Sequence, residues 1–66
     1  MQVFIYTPVF KEGVQKDGMT VYAFNQRNAF KVLLQYYDIS DLEDVELLGE
    51  TTTDDQDYID FLNFEN

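Results

Sequence analysis

Three patterns of apolar and polar positions follow one another along the chain. From Gln2 to Thr7 nearly every position is β-prone, with apolar residues on both faces, which predicts a central strand. Pro8 cannot donate to a ladder, so either that strand ends at Thr7 or Pro8 marks a bulge before Val9-Phe10. Lys11–Gly18 reads as a connection, with Asp17-Gly18 as its tight turn, and Thr20–Phe24 as a second strand. Over Gln26–Tyr37 the period changes to 3.6 behind an N-cap residue, Asn25. Ala29, Phe30, Val32, Leu33, Tyr36 and Tyr37 share one helical face, with Arg27, Asn28, Lys31 and Gln35 opposite. Asp38 and Ser40 favour turns and end the helix, Ser40–Glu46 offers one helical turn capped by Ser40, and Val45–Leu48 is the third strand.

The order strand, strand, helix, strand predicts a small α+β domain, ββαβ. A right-handed crossover over the first strand puts that strand in the middle of a three-stranded antiparallel sheet of order 2-1-3, with one covering helix. Gly49–Thr53 has nothing apolar to pack and reads as a hinge, dividing a domain of residues 1–50 from an acidic, aromatic segment of residues 51–66. Thr53 and Gln56 have capping-box spacing ahead of Tyr58, Ile59, Phe61, Leu62 and Phe64, which predicts a short C-terminal helix. It either docks on the domain or lays Tyr58, Ile59, Phe61 and Phe64 in a partner's groove.

Length makes the core thin, since a chain near 60 residues buries only about 60% of the surface its unfolded form exposes. Without cysteine or histidine there are no disulfides and no usual zinc ligand sets, so stability rests on packing or on a partner. Six Phe and five Tyr are more rings than such a core encloses, and exposed rings are frequent interface anchors.

The net charge of −9 is unevenly placed. Residues 1–37 hold all four bases (Lys11, Lys16, Arg27, Lys31) against two acids, while residues 38–66 hold eleven acids and no base. Such a surface repels a nucleic-acid backbone, so direct DNA or RNA binding is not expected, whereas a basic protein surface is attracted to it. No apolar run is long enough for a membrane span and no leader pattern opens the chain, which suggests a cytoplasmic protein.

No pairing of nucleophile and base, phosphate-cradling glycine loop or calcium-loop spacing is present, so neither an enzyme nor a metal or cofactor site is expected. Gln56-Asp57-Tyr58-Ile59-Asp60-Phe61 resembles the glutamine-led peptides by which bacterial proteins enter the sliding-clamp groove, with Ile59 where those peptides usually carry Leu or Met. In size and acidity the chain is similar to small phage-encoded inhibitors that mimic nucleic acid. The expected function is a non-enzymatic acidic protein-binding module, of which a phage-type mimic filling the basic groove of a nuclease, polymerase or defence protein is one form. Its candidate contact residues are Asp41, Glu43, Asp44, Glu46, Asp54, Asp55, Asp57 and Asp60, with Tyr58, Ile59, Phe61 and Phe64 as apolar anchors. The alternative is a small structural or accessory protein that homodimerises through exposed aromatics, its acids only solvating.

Overall fold

A computed structural model describes residues 1–65, arranged as β1 (Gln2–Phe10), β2 (Val21–Ala23), α1 (Gln26–Leu33), β3 (Leu42–Thr52) and α2 (Gln56–Glu65). The sheet is antiparallel in the order β2-β1-β3, the arrangement expected for a small α+β fold. Among the described residues no helix is long and apolar enough to cross a membrane.

β1 runs through Pro8, which is buried opposite Val45. The proline is tolerated because β2 reaches only Phe4–Tyr6, so at Pro8 the strand has a neighbour on one side alone. Two register shifts against β1 leave Glu43 and Leu48 of β3 without a partner residue. The first lies beside Val9/Phe10, and it allows Leu42 and Val45, three apart, both to be buried where strict alternation would expose one. The tight turn of the β1–β2 connection is at Gly13 and not at Asp17-Gly18: Val14 N–H donates to the Lys11 carbonyl at 3.1 Å, and Gly13 takes φ 86°.

Asn25 caps α1, its side-chain oxygen accepting from Asn28 N–H at 2.8 Å. Ala29, Val32 and Leu33 then pack on Val21, Ala23, Tyr6 and Val45. The helix is shorter than its periodicity suggests. Gln35 N–H turns to the Val32 carbonyl and Tyr36 N–H to the Leu33 carbonyl, both three residues back, and this tighter last turn leaves Tyr36 60% exposed. Tyr37 swings back instead, meeting Phe10 edge to face at 5.1 Å and donating its hydroxyl to the Asp17 carbonyl at 2.7 Å. No helical turn forms over Ser40–Glu46; Asp38 accepts from the Ser40 N–H and hydroxyl, and β3 begins at Leu42.

The stretch 49–53, expected as a hinge, belongs to the sheet. Gly49, Glu50, Thr51 and Thr52 pair with Ile5, Phe4, Val3 and Gln2, and Thr53 N–H donates to the Met1 carbonyl at 2.9 Å. The chain therefore enters α2 from a paired strand. Leu62 is fully buried and Ile59 nearly so, while Tyr58 and Phe61 pack half-buried against the same core. Asn28 makes the join. Expected on the solvent face of α1, it is instead wholly buried, accepting from Phe24 N–H at 3.0 Å and donating through Nδ2 to the Leu62 carbonyl at 3.0 Å. Among the described residues no buried side-chain polar atom lacks a partner.

Candidate partner-binding surface

The acidic half is divided between groups that build the fold and groups that do not. Asp55, and not Thr53, caps α2: its carboxylate accepts from Tyr58 N–H at 3.2 Å, and Thr53 supports it by accepting from Asp55 N–H. Asp60 accepts from Gln56 Nε2 at 2.9 Å one turn earlier. Asp41 lies 3.5 Å from Lys16, and Asp44 accepts from Gln26 Nε2 and from Val45 N–H, both at 2.8 Å. Asp38, outside the expected set, is held below the usual carboxylate range by the Ser40 N–H and hydroxyl. Glu43, Glu46, Asp54 and Asp57 are exposed and have no intrachain partner among the described residues.

Four acids, Glu43, Asp44, Glu46 and Glu50, lie on β3, an outer strand of the sheet. At ~3.3 Å per residue they form a line of negative charge about 23 Å long. Leu47 and Leu48 interrupt it, 55% and 54% exposed. Among the described residues no three carboxylates converge as a metal site would require, so the charge is spread as a surface.

The four apolar anchors separate in the same way. Ile59 is buried, Tyr58 and Phe61 are half-buried in the domain, and Phe64 alone stands out, 86% exposed. The peptide Gln56–Phe61 is thus a helix whose aliphatic and aromatic positions already pack inside this chain. Tyr58 also serves the sheet, its hydroxyl donating to the Tyr22 carbonyl and accepting from Tyr22 N–H at 3.1 Å, which closes the free edge of β2. Burial pushes the Tyr58 pKa up, although the bond to the Tyr22 backbone pulls the other way.

Sequence reasoning missed a second feature, an open groove of about 520 Å³ beside α1. Phe30, Leu34 and Ile39 line it with apolar surface, Arg27 and Lys31 supply positive charge, and Gln26 with Asp44 lies at its border. Its signals were present in the sequence: two cations four residues apart on one helix, and Ile39 isolated among turn residues. Comparison of the chain with protein-family models, with curated proteins and with solved structures gives no match.

Proposed function

We propose that this chain is a non-enzymatic acidic protein-binding module whose contact surface runs along β3 to the start of α2. In its sharpest form it occupies a basic, nucleic-acid-binding groove of another protein, as a phage-type mimic does. The observation that supports this reading is the outer strand β3, which carries four exposed acids and no base over its length. Glu43 and Glu46 on it, with Asp54 and Asp57 just beyond, are not used by the fold among the described residues. Surface charges of this kind act on encounter and register more than on the stability of the domain that bears them.

The structure also sharpens the test. Changing Glu43 and Glu46 to Gln, and Asp54 and Asp57 to Asn, removes charge while leaving the capping and hydrogen-bonded acids in place. Against a partner captured from host lysate and purified, the fourfold variant should associate at least about tenfold more slowly at low salt, the scale on which steering charges act. Nucleic acid should compete with the wild-type chain, and binding should weaken steeply as salt rises. A partner with no basic nucleic-acid site, or a variant that binds at the wild-type rate in low salt, would leave these acids as solvating groups.

A further inference from the structure

We propose that the chain self-associates through its helices, the exposed stripe of α2 in one copy entering the groove beside α1 in a second copy. Two surfaces on the molecule complement each other. On α2, Asp57, Asp60 and Phe64 fall at i, i+3 and i+7, a single stripe opposite the buried Ile59 and Leu62. It offers two carboxylates and then an aromatic ring that is 86% exposed. On α1, Arg27 and Lys31 stand four apart beside the apolar lining of Phe30, Leu34 and Ile39, with Ile39 itself 62% exposed.

The charges make this choice of occupant specific. In a chain with 13 acids and four Lys or Arg residues, neither Arg27 nor Lys31 forms an ion pair among the described residues. Both therefore remain available to an acidic segment, and Asp57 and Asp60 are an acidic segment that also ends in a ring to fill an apolar groove. The helices α1 and α2 are neighbours in the fold, joined through Asn28 and Leu62. A two-fold axis can therefore set α1 against α2 of the other copy and α2 against α1, making the contact twice and closing it at two chains. The mutual repulsion of two copies at −9 works against association, and it is screened beyond about 8 Å at physiological ionic strength while contacting pairs are screened less.

Sedimentation equilibrium of the purified chain in physiological salt, with no partner present, reads this independently of any binding through β3. The weight-average mass should rise from one chain toward two with concentration. Phe64→Ala, which removes an exposed ring, should weaken association at least about tenfold, or ~1.4 kcal/mol. Arg27→Glu with Lys31→Glu should abolish it, and adding Asp57→Lys with Asp60→Lys to that variant should restore it; thermal unfolding checks that each variant is folded. A mass that stays at one chain, a fourfold swap no tighter than the double reversal, or growth beyond two chains would each overturn the proposal.

Discussion

Replacing Asn28 with Ala should cost far more than its place on the polar arc of a surface helix suggests. The substitution strands two groups at once, the Phe24 N–H and the Leu62 carbonyl, which Asn28 holds at 3.0 Å each. A buried polar group left without its partner costs about 1–3 kcal/mol. Alanine returns roughly 0.5 kcal/mol of helix propensity, so for the two stranded groups the net loss is about 1.5–5.5 kcal/mol. A 66-residue domain has only ~3–10 kcal/mol in total, at roughly 0.05–0.15 kcal/mol per residue. The urea midpoint should therefore fall by about 1.5 M or more, given a slope near 1 kcal/mol/M for so small a protein. Native-state amide exchange should speed most at Phe24 and along α2, because Asn28 is what ties the two together. Asn28→Asp adds a sign. The carboxylate still accepts from Phe24 N–H but has nothing to donate to Leu62, and burial raises its folded pKa above the unfolded value of ~3.9. Relative to wild type, that variant is thus least unstable at low pH and loses stability as pH rises through the raised pKa. A loss below about 0.5 kcal/mol for Asn28→Ala would show that water replaces both bonds and that the join lies elsewhere.

Leu33→Ala and Leu62→Ala each empty a fully buried site and should each cost about 2–5 kcal/mol by thermal or urea unfolding, with Lys31→Ala near neutral in dilute solution; equal effects would mean the helices are not packed as described. Removing residues 54–66 should abolish cooperative unfolding rather than release an independent domain, since it takes Leu62 from the core and the acceptor from Asn28. A truncated chain with unchanged stability would refute the docking of α2. Tyr58→Phe keeps the ring and loses both bonds to Tyr22, a cost of about 0.5–1.5 kcal/mol at neutral pH. Because the folded pKa of Tyr58 is raised, its contribution is full below the unfolded value of ~10 and declines as pH climbs through the folded one, so wild type and variant should converge in strong base.

Local signals carried the sheet and first helix. Asn25 with its 3.6-residue period locates α1, and the strand order follows once a right-handed crossover is required. The misreadings occur where tertiary contacts overrule local chemistry. Asn28 looks like a surface residue because only one of its two side-chain partners, Phe24 N–H, is local; the Leu62 carbonyl that accepts from its Nδ2 is 34 residues away. Gly49–Thr52 looks like a hinge because it lacks apolar side chains, yet a strand can be held by its backbone ladder alone, and β1 was long enough to pair with it once Pro8 proved compatible with a one-sided neighbour. The α2 cap moved from Thr53 to Asp55 because the ladder extends to Thr53 and delays the helix. Of the candidate contact surface, the concentration of acids after Tyr37 was legible from the sequence alone, but which acids are committed to caps and side-chain bonds was not, and the groove beside α1 exists only once Ile39 is folded back toward the helix.

The two outer strands explain why the helices, rather than the sheet, are the better place for a second copy to bind. An exposed edge invites pairing with another chain unless something prevents it. At β2 the Tyr58 hydroxyl occupies both backbone groups of Tyr22. At β3 no such cover is present among the described residues, but two register shifts break the ladder at Glu43 and Leu48, and Glu43, Asp44, Glu46 and Glu50 would face their own counterparts in a second copy. Like charges placed opposite one another across strands are destabilising, so β3 repels itself. Under the proposed function the same acids would attract a partner of opposite charge, and the exposed Leu47-Leu48 pair at their centre would give such a partner apolar surface to cover. Self-association through α1 and α2 would cover Asp57 and border Asp44 but leave Glu43, Glu46 and Glu50 of β3 free, so the chain could pair with itself and still present these acids to a basic protein. Neutralising Glu43 and Glu46 should therefore leave the sedimentation behaviour unchanged while it slows partner binding, and a variant that lost both together would show that the two surfaces are one.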